Sequence, residues 1–275
     1  MLRSDSTRAI FELSRFTLIE IIQSRVFRLL VGGTLLIPLI AVIIASLFMA
    51  DIGKVYLDVV LSGAHFASMV FTLFIAASLL AKDIDQRICY IILSAPMKRH
   101  HYILARYGGL SIAFAILAAA LTITAYIGGY FYIGSLAELY QSGFSALMIP
   151  MMFFYIFFQY LSLISVAVFF FSWATGTAEI LLFTSSVMLF SWAFPPVLAA
   201  LQTEELASQT PVFLRQLIEV IYQFLPHLNG SNFALSIAHS LEINGRDLLL
   251  YTLEHSAYAG ISLVLALLLF KRRDL

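Results

Sequence analysis

The stretch KDIDQRICYIILSAPMKRHHYILAR, residues 82–106, is a polar break between two long apolar runs of the chain. Across all 275 residues, 61% are hydrophobic and only 12% are charged, and the mean hydropathy is +0.94. Soluble domains average about 25% charged residues. The composition therefore predicts an integral membrane protein. The break predicts a segment outside the membrane, where another protein can act on it.

Apolar runs flank this segment on both sides. A helix needs about 20 apolar residues to cross a hydrocarbon core of about 30 Å. Lipid offers no hydrogen-bond partner to the backbone, so each such run is predicted to be helical. One run, residues 248–270, contains Glu254 and His255, and could instead be a shorter span that begins at Ser256. The other five runs are residues 29–50, 59–81, 107–133, 147–174 and 180–201.

The predicted fold is all-α, a polytopic membrane protein with six transmembrane helices in a single domain over residues 1–275. Cytoplasmic loops of membrane proteins carry an excess of Lys and Arg. With both termini in the cytoplasm, all but three of the 16 Lys and Arg residues lie inside, the exceptions being Lys54, Arg215 and Arg246. Cytoplasmic termini are therefore expected.

Two further segments are predicted to lie at the membrane surface. Residues 1–28 carry charges of both signs and fit an interfacial helix that stays attached, rather than a cleaved signal. Residues 202–247 fit an outer interfacial or re-entrant segment, with a surface helix over residues 211–228. Pro195-Pro196 is expected to break the fifth span near its outer end.

The stretch between the second and third spans has an organisation of its own. Asp83 and Asp85 precede the apolar residues 88–93, and the pattern breaks at residues 94–96. Proline disfavours helix in the residue before it and can begin a new helix. We expect two short helices with a corner at Ala95-Pro96. The alternative is an ordinary basic connector between two spans.

These residues resemble the permease subunits of type-2 ABC exporters. In that family the loop between the second and third spans has two acids, Gly-Thr, several aliphatic residues, a Ser-x-Pro turn, an arginine and a small-plus-basic pair. The interfacial N-terminal helix, the six spans and the terminal FKRRDL resemble the family too, so the resemblance covers nearly the whole chain. The matching loop residues are Asp83 and Asp85, residues 91–93, Ser94 and Pro96, Arg99, and Ala105-Arg106. Arg87-Ile88 stands where Gly-Thr is usual.

The resemblance implies a coupling helix that docks onto a separate cytoplasmic ABC ATPase, which binds ATP and Mg²⁺. It also implies that two permeases work together, as a homodimer or with a close homologue. A short helix joined rigidly to two spans can convert a movement below the membrane into a tilt within it. The residues assigned to ATPase coupling are Asp83, Asp85, Arg87, Ser94, Pro96, Arg99 and Arg106.

The sequence lacks the motifs of several catalytic classes. It has no GxxxxGK[ST] loop for phosphate binding, and neither HExxH nor GxSxG for hydrolysis. We therefore expect no enzyme activity and no catalytic residues in this chain. A single cysteine, Cys89, excludes an internal disulfide, and without HxxxH or CxxC spacing no metal site is expected.

A few polar residues interrupt the spans and are candidates for a substrate path. His65 is better explained as a neutral histidine bonded to a neighbouring helix than as a ligand or proton relay. Gln159 and Ser162 punctuate the aromatic run MMFFYIFFQYLSL, residues 151–163, which fits either lipid-facing phenylalanines or the wall of a path for an amphipathic substrate. Glu254 would cost a few kcal/mol inside a membrane, unless it and His255 face water.

The sequence thus predicts the permease of an ABC exporter in a bacterial inner membrane, with an amphipathic or lipid-like substrate. One alternative is a permease for metal or sulfur species in metalloenzyme maturation. Another is an anchor that transmits ATPase strokes to a periplasmic partner without transport. The expected partners are the ATPase, a second permease, membrane lipid and, for that anchor, a periplasmic protein, with no nucleic acid.

Overall fold

The computed structural model describes residues 2–48, 51–94, 97–136, 144–201, 211–228, 236 and 244–272. Over these ranges the regular structure is helical, without a strand, and six helices are long and apolar enough to cross a membrane. The predicted all-α fold with six spans is confirmed. The spans are Arg25–Ser46 (α2), Ile52–Asp85, Arg99–Ile133 (α6), Met148–Trp173 (α7), Thr177–Leu201 (α8) and Gly245–Arg272 (α10).

The second span is a composite helix. It begins as α3, Ile52–Val70, widens into a π-helix over Phe71–Ala77, and ends as α4, Ser78–Asp85. The Ser78 hydroxyl donates to the carbonyl of Leu73, five residues earlier, at 3.2 Å. A π-helix is rare and is often found at functional positions.

The N-terminal helix is shorter than the sequence indicates. Helix α1 covers Leu2–Gln23, and Ser24 separates it from α2. The Ser24 hydroxyl accepts the backbone N–H of Phe27 at 3.1 Å, which is the usual way a serine begins a new helix. Residues 25–28 therefore belong to the first span and not to the surface helix predicted over residues 1–28.

The segment between the second and third spans also differs from its predicted form. A short helix, α5, covers Ile88–Ser94, but the next residues do not form a second short helix. Instead, α6 begins at Arg99 and continues without a break to Ile133. The third span therefore begins eight residues before the predicted position, Tyr107. The residues between Arg99 and Tyr107 are compatible with a helix, so the helix continues from this basic segment into the apolar one. The predicted corner, Ala95-Pro96, lies outside the described residues.

One expectation about the later spans is wrong, and one open alternative is decided. Helix α8 continues through Pro195 and Pro196 to Leu201, because proline has a φ compatible with a helix and membrane helices tolerate it where neighbouring groups satisfy the freed carbonyls. Helix α10 begins at Gly245, so the sixth span is not a short helix beginning at Ser256.

Helix α7 is the most deeply buried span and forms the centre of the bundle, packed against α6, α8 and α10. At the end of the bundle that carries α5, here called the inner end, α1 lies along α6. At the outer end, a surface helix, α9, covers Val212–Gln223 and packs on α8. It lies within the predicted outer segment, residues 202–247, of which residues 202–210, 229–235 and 237–243 lie outside the described part of the chain.

Candidate functional site

Five side chains at the inner end form an ionic network with a buried centre, which we call the inner ionic cluster: Glu20, Lys82, Asp83, Tyr102 and Arg106. The guanidinium of Arg106 donates to Asp83 Oδ1 at 2.6 Å and to Glu20 Oε2 at 3.1 Å. Tyr102 donates its hydroxyl hydrogen to Asp83 Oδ2 at 2.5 Å. Lys82 binds the other Glu20 oxygen at 3.0 Å. The cluster therefore joins α1, the second span and the third span.

The central pair of this cluster has no access to solvent. The side chains of Asp83 and Arg106 are both 0% exposed. A buried charge is costly unless it is paired and its remaining hydrogen-bonding groups are satisfied. Both conditions are met, since Arg106 also donates to Thr17 Oγ1 at 3.1 Å and Asp83 also accepts from Tyr102. Removing one partner should therefore cost far more than removing a surface ion pair.

Glu20 is the partly open edge of the cluster. Burial raises the pKa of its carboxyl, but hydrogen bonds and charges from Lys82 and Arg106 outweigh burial, so the pKa lies below its ordinary value. Glu20 is therefore an anion at neutral pH. It carries the ionic contact between α1 and the two spans.

Asp83, one of the predicted coupling residues, is directed into the bundle and not toward a partner protein. We expected Asp83 to face basic groups on an ATPase, and this direct contact does not fit a carboxylate that is buried against Arg106. The periodicity of the helix explains the difference, because Asp83 and Asp85 are two residues apart and lie on different faces of α4. The assignment of Asp83 and Arg106 to ATPase coupling stays a prediction.

Arg106 is buried with Asp83, whereas four other predicted coupling residues lie at the surface of the inner end. Asp85 is exposed at the end of α4 and accepts a hydrogen bond from Thr177 at the start of α8. Arg87 is exposed in the turn before α5, with a φ of 54°. Ser94 closes α5, and Arg99 begins α6 and donates to the Lys271 carbonyl at 3.2 Å. Pro96 lies outside the described residues.

Two of the four polar residues predicted for a substrate path, Gln159 and Ser162, lie on a buried seam along α7. The Gln159 amide donates to the backbone carbonyl of Leu228. Ser162 lies 3.3 Å from His255 Nδ1 on α10. Gln159 Oε1 and His255 Nε2 are buried without a hydrogen-bond partner among the described atoms. These two atoms, together with Ser162, make the contact between α7 and α10 polar in the middle of the bundle.

His65 contacts α7 from the second span. Its Nδ1 is 3.4 Å from the Tyr160 hydroxyl, which in turn donates to the His65 carbonyl at 3.1 Å. The ring also makes an edge contact with Tyr155, at a centroid distance of 5.5 Å. This is the arrangement of a histidine bonded to a neighbouring helix, the explanation that the sequence favoured for this residue.

Glu254 does not belong to this seam. Its carboxylate pairs with His227, which follows α9, and half of its side chain is exposed. His255, the next residue, points the opposite way into the bundle and is buried. The structure therefore places Gln159 and Ser162 on one buried side of α7, brings His65 against Tyr160 of the same helix, and leaves Glu254 at the surface.

Sequence reasoning missed Glu20, Tyr102 and the inward role of His255. Glu20 had a visible signal, since it stands alone among apolar residues in the sequence TLIEII. Tyr102 had none, because a tyrosine among histidines and aliphatic residues is unremarkable until its partner is known. Among the described residues, no group of three or more His, Cys, Asp or Glu side chains converges to hold a metal ion.

Comparison with known proteins agrees with this architecture. A family model described as ABC-2 family transporter protein matches residues 26–270, from the start of the first span to the end of the last. No curated protein matches the chain significantly. Members of this family are the membrane-spanning transport subunits, and the family generally works with a separate ATP-binding subunit. The chain therefore belongs to the ABC-2 transporter family and is a membrane permease of an ABC transporter.

Proposed function

We propose that this permease is the membrane part of an exporter and couples ATP hydrolysis by a separate cytoplasmic ATPase to the export of an amphipathic or lipid-like substrate. ATP and Mg²⁺ bind to the ATPase, and α5 is the coupling helix that docks on it. The complex works with two permeases in a bacterial inner membrane. The proposal rests on one observation: α5 is exposed at the inner end and is held there by the helices on either side of it.

Helix α5 has an exposed apolar side chain on one side and a buried one on another. Ile91 is 69% exposed on this helix, although α5 lies beyond the ends of the spans, where water would surround it. Cys89, two residues earlier, is 1% exposed and packs into the bundle. An isolated exposed isoleucine is common, but one on a short helix flanked by Asp85 and Arg87 has the composition of a docking surface.

The anchoring of α5 suits it to transmit force. One turn joins it to α4, and a few residues join it to α6. The Asp83–Arg106 pair fastens α4 to α6 directly above it. Because these helices are tied together, a push on α5 should move the second and third spans as one body.

Two surfaces are available for a second permease. The spans α2 and α8 are the least buried of the six, with large apolar side chains such as Leu36, Leu189 and Trp192 directed outward. Lipid can cover such residues, so exposure alone does not select the interface. The proposed dimer requires that one of these two spans is covered by the second copy.

The proposal of an amphipathic substrate rests on α7. This helix carries the polar seam of Gln159 and Ser162 on one side, and aromatic side chains such as Phe153 and Phe154 on another. Aromatic and polar groups on one central helix can contact both parts of an amphipathic molecule. Export is the direction that the family resemblance implies.

The coupling role of α5 can be tested by copurification with the cognate ATPase. We expect Asp85→Lys and Ile91→Asp each to reduce the ATPase recovered with the permease by about tenfold or more, because like charges or a buried carboxylate at an interface cost several kcal/mol. The double substitution His100→Lys and His101→Lys changes charge nearby, at the start of α6, and should be milder. Asp83 is left unchanged, since its substitution would also disturb folding.

The readouts are membrane abundance, ATPase recovery and stimulation of ATP hydrolysis. Abundance should hold for all three variants, while the other two measurements fall only for the α5 variants. Full ATPase binding by both Asp85→Lys and Ile91→Asp would show that this segment is only a connector.

A further inference from the structure

A groove opens on the lipid-facing side of the inner end, between the α1–α2 junction at Ser24 and the π-helical part of the second span. It has a volume of about 360 Å³, within the range of about 300–1,000 Å³ for small-molecule sites. We call it the elbow groove. We propose that it binds one phospholipid of the inner leaflet. The phosphate lies at Lys82, and the part of an acyl chain nearest the head group lies along the π-helix.

The polar end of the groove suits a phosphate. Lys82 is half exposed and uses one of its three N–H donors on Glu20, which leaves two for a ligand. Ser24 accepts from Phe27 and still has its own hydroxyl hydrogen to donate, and Gln23 lines the same end. Glu20 also lines this end, so the groove offers one charge of each sign, which matches the zwitterionic head group of phosphatidylethanolamine.

The rest of the groove is apolar and faces the membrane. Its wall includes Val26 on α2, and Phe74 and Leu79 on the second span. Phe74 is 63% exposed, so this wall is open to lipid and not part of the protein core. A free phosphate would use only the polar end, whereas a phospholipid matches both ends. This pairing selects a lipid over a soluble anion.

Part of the groove wall lies on the π-helix. An α-helix bonds each residue to the fourth along, and a π-helix inserts an extra residue into the turn, which widens it. Phe74 and Ile75 lie in the middle of the widened turns and line the groove. The Ser78 hydroxyl, just after the π-helix, donates to the Leu73 carbonyl. A bound lipid would contact α1, α2 and the second span together, so it would hold the surface helix against the bundle.

The test uses the full chain purified in detergent and titrated with phosphatidylethanolamine, with bound lipid counted by native mass spectrometry. Val26→Trp fills the groove from the surface, and Leu29→Trp is the matched control, exposed on the same helix but outside the groove. We expect Val26→Trp to reduce lipid retention by about tenfold while Leu29→Trp leaves it unchanged. Lys82→Gln should also reduce it by about tenfold, because a charge-assisted hydrogen bond is lost.

A competition experiment distinguishes binding of a lipid from binding of a simple anion. Inorganic phosphate at millimolar concentration should not displace the lipid, because it cannot contact the apolar wall. Equal retention by Val26→Trp and Leu29→Trp would overturn the proposal, and so would displacement by phosphate. Thermal unfolding of each variant shows whether it is folded, and Val26→Trp is on the surface, so a loss of binding by this variant with an unchanged Tm supports the site.

Discussion

At the scale of single residues, Arg106 is the group on which the inner end most depends. Arg106→Met should destabilise the protein by about 3–5 kcal/mol, because it leaves the buried Asp83 carboxylate without its cation. Thermal unfolding in detergent measures the loss, and Arg28→Met, an exposed arginine, is the control. Adding Asp83→Asn to Arg106→Met should recover part of the stability, since the charge is then no longer buried. No recovery would indicate that the hydrogen bonds and not the charges matter.

Glu20 should make the inner ionic cluster sensitive to acid. A carboxyl whose pKa is lowered in the folded state contributes stability above its unfolded value, here 4.5, and loses that contribution as the pH falls through the folded value. Glu20→Gln should therefore lower the Tm at neutral pH, and the difference from the wild type should shrink well below pH 4.5. Glu12→Gln, an exposed glutamate on the same helix, is the control. A difference that is constant with pH would contradict the ionic role.

Arg87 occupies a backbone position that suits glycine. Its φ of 54° lies in the left-handed region, which costs residues with a side chain roughly 1–2 kcal/mol. Arg87→Gly should therefore raise the stability by about 1 kcal/mol, measured as an increase in Tm. The neighbouring Gln86 has an ordinary φ of −89°, so Gln86→Gly should lower stability instead. A loss of stability in Arg87→Gly would show that its side chain makes a larger contribution than the strain.

At the scale of elements, the contact of α1 with α6 depends on one of two adjacent glycines. A Cβ added at Gly109 would lie 2.6 Å from Thr17 Cβ and 2.8 Å from the Ser14 carbonyl oxygen. At Gly108 the nearest atom is Ser14 Oγ, at 3.2 Å. Gly109→Ala should therefore force α1 away from α6 and cost about 1–3 kcal/mol, while Gly108→Ala should be close to neutral. Thermal unfolding distinguishes them, and equal values would mean that α1 is loosely attached.

The elements also show what the sequence could and could not predict. Each span was visible because a membrane requires about 20 apolar residues in succession, which is a local property. The start of α6 was misplaced because charged residues such as Arg99 and Arg106 looked like loop, although helices continue past the membrane surface. Pro195 and Pro196 looked like a break because the groups that satisfy the freed carbonyls are not local to the sequence.

The candidate site was harder to predict than the spans. Asp83 and Arg106 are 23 residues apart, and nothing local indicates that they pair. The position of Asp83 in the sequence is equally consistent with an outward carboxylate, so only the packing of α4 against α6 decides its direction. By contrast, Gln159 and Ser162 are three apart on one helix, and their common face could be read from the sequence alone.

At the scale of the whole molecule, the distribution of charge predicts how the bundle sits in the membrane. Reporter domains fused after Leu275, or inserted in the segment between α4 and α6, should read as cytoplasmic, and one inserted at Gln209 should read as periplasmic. The inner end defined by the structure carries this asymmetry, since Lys82, Arg99 and Lys271 all lie there. An even number of spans then puts both termini on that side. Insertion directly after Ser94 also avoids the buried Asp83 and Arg106, so the fold should survive it. A periplasmic signal at this position would place α5 on the wrong side of the membrane to meet an ATPase, and would overturn the proposed function together with the topology.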